Sequence, residues 1–169
     1  GLSIRTNTAR LLKHRRMILE LMLASHNCNC AICEKSGSCH LQELALQFGV
    51  RRVRFADNRE IGAFDDSSPA VVRDPSKCIL CGRCIERCKN AHGNGVLGFQ
   101  KRGFETVVGP AGGITLDQSP CIMCGQCVNV CPTGALMEKS EIGKVDAAMA
   151  QGKYVVVRTA PAVRAALGE

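Results

Sequence analysis

Over the first fifty residues the apolar positions recur near a period of 3.6. Between residues 8 and 23, Leu11, Leu12, Ile18, Leu19, Met22 and Leu23 share a face, with Arg10, Lys13, Arg15 and Arg16 between them. That pattern predicts an amphipathic helix ending just before His26. A second helix is predicted from about Cys39 through Leu41, Leu44, Ala45 and Phe48 to the stop signal Gly49. Beyond residue 70 the pattern changes to short β-branched runs. Strands are predicted at 71–72, 96–99 and 106–108, with turns at Gly93-Asn94-Gly95 and Gly112-Gly113. Short helices are expected after Cys81 and after Cys124, and another over 141–150. The β-branched run 154–157 reads as a strand, and 162–167, behind Pro161, as a helix.

These elements have little with which to build a core. Aromatic residues make up 4% of the 169-residue chain and Trp is absent, whereas cysteine occurs 12 times. There is no signal-peptide apolar region and no unbroken apolar run near about 18 residues, so a secreted or membrane-spanning protein is not supported and a cytoplasmic one is expected. In a reducing compartment a cysteine-dense chain more often holds metal than disulfides, and metal staples are what so thin a core requires. The formal charge of +7 does not point to nucleic acid or a membrane surface. Lys and Arg are scattered, and the basic runs are no longer than Arg15-Arg16 and Arg51-Arg52.

The cysteines form three groups. Cys78, Cys81, Cys84 and Cys88 superpose on Cys121, Cys124, Cys127 and Cys131 with one constant offset, and Cys78-Ile-Leu-Cys81-Gly-Arg-Cys84 matches Cys121-Ile-Met-Cys124-Gly-Gln-Cys127. This is an internal repeat. The spacing Cys-x2-Cys-x2-Cys-x3-Cys followed by Pro132 is the ferredoxin run that binds a 4Fe-4S cube. Three cysteines within seven residues wrap three corners of a cube, while the fourth, on the helix that follows, points away from it. The ligands therefore cross over: Cys78, Cys81, Cys84 and Cys131 for one cluster, Cys121, Cys124, Cys127 and Cys88 for the other. Gly82 and Gly125 allow the tight turns that bring backbone N–H groups toward sulfur. The first repeat departs from the pattern in carrying Lys89 where the second has Pro132. Zinc is the competing reading, but a tetrahedral ion leaves the third cysteine of each triplet without a role.

The remaining group reads as His26-x3-Cys30-x2-Cys33-x5-Cys39, four donors just past a predicted helix end. With two cubes downstream, a third redox centre is expected there; a zinc site of three cysteines and one histidine, or a histidine that only caps the helix, are the competing readings. Cys28 is left over; it lies between two ligands and could substitute for one, but reads as a small residue that is buried or supports the ligands. The expected fold class is α+β, with three parts: a small helical 4Fe-4S domain with one histidine and three cysteine ligands over 1–64, a two-cluster ferredoxin-like domain with a pseudo-twofold repeat over 65–150, and 151–169 as the start of something else.

Three segments together resemble a known family. They are His26-Asn-Cys-Asn-Cys30-Ala-Ile-Cys33-Glu-Lys-Ser-Gly-Ser-Cys39-His-Leu-Gln-Glu-Leu-Ala, the paired cysteine repeats, and Cys131-Pro-Thr-Gly-Ala-Leu. This set is similar to the accessory iron-sulfur region of iron-iron hydrogenases, a region shared with the large iron-sulfur subunit of respiratory complex I and with some formate dehydrogenases. The run Val-Val-Val-Arg-Thr-Ala-Pro-Ala-Val-Arg-Ala-Ala-Leu-Gly-Glu over 155–169 resembles the first strand and helix of the hydrogenase catalytic domain. His40 departs from the family's usual Glu, at a helix start expected to be exposed.

The resemblance implies three 4Fe-4S clusters relaying electrons between ferredoxin, or an NAD(P)H-oxidising flavin iron-sulfur subunit, and a hydrogen-activating site. It also implies a larger chain or hetero-oligomer. The cysteines of the catalytic H-cluster are expected after residue 169, and a 2Fe-2S domain before residue 1. The alternatives are the relay region of a formate dehydrogenase or complex I-like subunit, or a stand-alone polyferredoxin. Within the chain no Ser/His/Asp set is apparent, and Gly109-Pro110-Ala111-Gly112-Gly113 lacks the Lys and Ser/Thr of a phosphate loop, so no catalytic residue is expected.

Overall fold

A computed structural model describes residues 1–57, 59 and 61–168. The chain divides into two compact units, residues 1–139 and 140–169. In the first, helix α1 (Ala9–Ala24) opens on Thr8, whose hydroxyl accepts the Leu11 N–H at 3.3 Å. Helix α2 (His40–Gln47) follows a 3-10 turn over Cys30–Ile32. Leu19 of α1 and Leu41 of α2 are buried, and the Arg16 guanidinium crosses to the Phe48 carbonyl at 2.7 Å. The expected amphipathic pattern thus forms a two-helix cap.

The rest of the unit is α+β and repeats itself. Strand β1 (Val71–Arg73), a cysteine loop, helix α3 (Arg83–His92) and strand β2 (Leu97–Gln100) are followed by strand β3 (Val107–Pro110), a second cysteine loop, helix α4 (Gln126–Asn129) and strand β4 (Leu136–Glu138). Pairing interlaces the halves: β1 runs antiparallel to β4 with Val72 opposite Met137, and β2 to β3 with Phe99 opposite Val108. Val71, Leu97, Val108, Leu116, Ala135 and Leu136 form the shared core together with Cys84 and Cys131.

The helices differ in length for a local reason. Proline disfavours helical geometry in the residue before it, so Pro132 stops α4 short. Lys89 at the equivalent place lets α3 run to His92. One expectation is corrected here: Cys88 lies on its helix, whereas Cys131 lies two residues past the end of α4.

The polar run 65–69 contains two buried residues, Asp65 at 3% exposure and Ser68 at 0%. The Asp65 carboxylate accepts from the Ser67 hydroxyl at 2.6 Å and the Leu116 N–H at 3.0 Å, and lies 3.6 Å from the Arg73 guanidinium. Burial pushes its pKa up, but the Ser67 and Leu116 hydrogen bonds and Arg73 outweigh that and hold it below the ordinary 3.8. A depressed carboxylate contributes stability that is present above pH 3.8 and is lost as the pH falls through the folded value. Asp65→Asn is expected to cost about 1–3 kcal/mol at neutral pH and to flatten the acid limb of a stability-versus-pH profile, measured by denaturant melts. A full-sized acid limb in the variant would assign that limb to other groups.

In the second unit, helices α5 (Ile142–Ala150) and α6 (Pro161–Leu167) form as expected. The predicted strand at 154–157 does not: among the described residues no strand pairs with it, and Tyr154 is 95% exposed. β-branched preference is a fit to a pleated neighbour, and nothing in this unit offers one.

Candidate metal centres

The two cysteine loops make the same left-handed turns at equivalent positions. Leu80 and Met123 both have φ of 56°, in the left-handed region that costs a non-glycine residue energy, and Gly82 and Gly125 follow at 72° and 68° as the N-caps of α3 and α4. This geometry turns the Leu80 N–H onto Cys78 Sγ at 3.4 Å and the Met123 N–H onto Cys121 Sγ at 3.4 Å. The glycines make the turn, and the N–H to sulfur bonds come from the residues two places before them.

Two cavities are lined by cysteines of both repeats. One is bounded by Cys78, Cys81, Cys84 and Cys131, with Val108, Ala135 and Leu136 on its walls. The other is bounded by Cys88, Cys121, Cys124 and Cys127, with Val71, Leu97 and Leu116. Each therefore takes three sulfurs from one loop and the fourth from the other repeat. Cys84 and Cys88 stand one turn apart on α3, about 6 Å along its axis, so adjacent turns of one helix serve the two cavities.

Four thiols on one zinc ion at about 2.3 Å would stand about 3.8 Å from each other. Among the described residues no three His, Cys, Asp or Glu side chains converge on such a point. Sulfurs arrayed around an apolar cavity fit a multi-iron cluster instead. Burial, aided by the neighbouring thiols, pushes the Cys84 thiol up to about 12 and Cys127 up to about 11, and burial also raises Cys78. At neutral pH these thiols stay protonated until a metal displaces the proton.

His26, Cys30, Cys33 and Cys39 lie on the segment joining α1 to α2, with Cys39 as the N-cap of α2. The Asn27 N–H donates to the Ser76 carbonyl at 2.9 Å, holding His26 against the turn before Cys78. His26 Nδ1 is buried and makes no hydrogen bond. Burial lowers the ring's pKa, assisted by Arg59 and Lys77 and opposed by the Lys77 carbonyl and Asp74. The neutral imidazole so favoured is the form that ligates metal. Cys28 corrects its expectation: it is exposed, with Sγ 3.7 Å from the Leu23 carbonyl. His40 is exposed as expected, and its Nδ1 lies 3.5 Å from Glu43.

Sequence reasoning missed Arg59 and Thr133. Arg59 donates to the Cys78 carbonyl at 2.6 Å and the Pro75 carbonyl at 2.7 Å, clamping the turn that delivers Cys78. Thr133 is buried and donates to the Lys77 carbonyl at 2.7 Å. Neither has a local signal: an isolated Arg between polar residues and a Thr after Pro look like surface.

Residues 15–54 match the NADH-ubiquinone oxidoreductase-G iron-sulfur binding region, and residues 77–135 match a 4Fe-4S dicluster domain. The class is therefore that of 4Fe-4S cluster-binding electron-transfer proteins. The NADP-reducing hydrogenase subunit HndD of Solidesulfovibrio fructosivorans is 48% identical over 98% of this chain and 28% of its own length. Iron hydrogenase 1 of Clostridium pasteurianum is 33% identical over 100% of this chain and 30% of its own. A crystal structure of an NAD+-reducing NiFe-hydrogenase in the H2-reduced state superposes with a TM-score of 0.76 at 32% identity, over 83% of this chain and 60% of that one. More particularly, the chain carries an accessory iron-sulfur region like that of iron-iron hydrogenases. It spans less than a third of the length of the two curated hydrogenase relatives. Among the described residues no helix is long and apolar enough to cross a membrane.

Proposed function

We propose that the chain relays single electrons through three 4Fe-4S clusters serving the hydrogen-activating site of an iron-iron hydrogenase. The electrons pass to or from ferredoxin or an NAD(P)H-oxidising flavin iron-sulfur subunit. The observation that carries this reading is the pair of apolar cavities, each edged by four cysteines drawn from both repeats. A cluster bound there supplies a centre that gains and loses one electron with no bond made or broken.

The chain's own residues do the rest. Cys78, Cys81, Cys84 and Cys131 hold one centre; Cys121, Cys124, Cys127 and Cys88 hold the second; His26, Cys30, Cys33 and Cys39 hold the third. Val71, Leu97, Val108 and Leu136 keep water from the sulfurs, and the Leu80 and Met123 N–H groups stabilise negative charge on Cys78 and Cys121. Residues 151–169 are read as the approach to the catalytic domain.

A relay component of complex I type is the second reading, since an NADH-quinone oxidoreductase subunit of Rhizobium meliloti (strain 1021) is 36% identical over 81% of the chain and 16% of its own length. The hydrogenase relatives align over 98% and 100% of the chain, which favours the first reading.

Anaerobically loaded protein should contain about twelve irons and twelve sulfides per chain, and should be reduced by reduced ferredoxin. His26→Ala should bring iron down to about eight while leaving the other two centres reducible. Stoichiometric zinc with little iron, or an unchanged iron content in His26→Ala, would contradict the three-centre relay.

A further inference from the structure

We propose that the Thr133 hydroxyl holds down the redox potential of the centre ligated by Cys131. The proposal rests on the ligand assignment above. Thr133 is 1% exposed, so its hydroxyl acts in a site free of bulk water. Oγ1 donates to the Lys77 carbonyl at 2.7 Å and stands 3.8 Å from Cys131 Sγ.

A hydroxyl has one proton to give. A separation of 2.7 Å is the preferred length for an O–H to oxygen bond, so the hydroxyl proton points at the Lys77 carbonyl and the oxygen end of the O–H dipole faces the sulfur. When Cys131 is a thiolate ligand, that partial negative charge adds to its own at low local dielectric, and an arriving electron is disfavoured. The dipole opposes the Leu80 N–H on Cys78, which favours the reduced state.

The repeat breaks at this position. Asn90 follows Cys88 as Thr133 follows Cys131, but Asn90 is exposed and its amide donates to Glu86 at 3.3 Å. The dipole therefore acts on one centre of the pair. It acts where the chain approaches the third ligand group: the Pro132 carbonyl accepts the His40 N–H at 3.0 Å, and a Cβ placed on Gly134 would stand 3.3 Å from Cys33 Sγ. Lowering the potential of the Cys131 centre thus changes the driving force between it and the His26 group.

The test is a potentiometric titration, followed by electron paramagnetic resonance, of the cluster-loaded chain and its Thr133→Val and Thr133→Ser variants at matched iron and sulfide content. Thr133→Val should raise the potential of the signal that Cys131→Ser perturbs and leave the signal that Cys88→Ser perturbs in place. Thr133→Ser, which keeps the hydroxyl, should restore the wild-type value, a rescue that loss of packing alone does not predict. Thr133→Ala gives the same reading if the valine variant loads poorly. An unchanged potential overturns the proposal, and so does a fall, which would mean that the hydroxyl donates to sulfur. If Cys131→Ser perturbs the same signal as Cys121→Ser rather than that of Cys78→Ser, the ligand assignment fails rather than the role of Thr133.

Discussion

Stripping iron from the loaded chain is expected to unfold the 1–139 unit. The central cluster of buried residues holds eight side chains, two of them cysteines, and Cys78, Cys88, Cys121 and Cys127 pack against it. Phe99 and Phe104, the aromatic residues nearest that cluster in sequence, are exposed and add little to it. Where other small domains place aromatic rings, this one places thiols around cavities. Metal-linked folding energies reach about 10–16 kcal/mol for a structural zinc, as large as the whole stability of a typical domain, about 5–15 kcal/mol. Anaerobic circular dichroism should therefore show a cooperative melt for the loaded chain and none after chelation. A stripped chain melting near the temperature of the loaded one would show that the apolar core suffices.

The thiol pKa values add a pH signature. Cys84 and Cys127 are pushed up to about 12 and about 11 from an ordinary 9.0, chiefly by burial. A group whose folded pKa is raised contributes stability that is full below the unfolded value and is lost as pH rises through the folded one. Any residual metal-free fold should weaken between pH 9.0 and about 12, and loading iron at neutral pH should release protons.

What the sequence made legible follows from how local each signal was. The cysteine spacing and the paired glycines are short-range constraints on a loop, and both loops adopt the same left-handed turns. The apolar period of α1 and α2 is equally local, and both helices form close to their expected bounds. Strand β4 escaped notice because Leu136-Met137-Glu138 shows no alternation; its register is set by pairing with β1, at the far end of the repeat. The reverse error at 154–157 has the same origin, a strong propensity with no strand beside it. Asp65 and Thr133 look polar and therefore exposed, yet each is buried because its partners come from other segments: Leu116 and Arg73 for one, Lys77 for the other.

Ligand crossover is the claim on which the relay depends, because sharing α3 between two centres brings them within electron-transfer reach. It also carries a large expected effect: replacing one cysteine should damage a centre whose other ligands lie in the opposite repeat. Spectra and potentials of Cys88→Ser, Cys121→Ser, Cys78→Ser and Cys131→Ser in the loaded chain decide it. The cavities predict that Cys88→Ser and Cys121→Ser alter one centre, and that Cys131→Ser and Cys78→Ser alter the other. Spectra in which Cys88→Ser instead pairs with Cys78→Ser, and Cys131→Ser with Cys121→Ser, would contradict the crossed assignment and the wiring built on it.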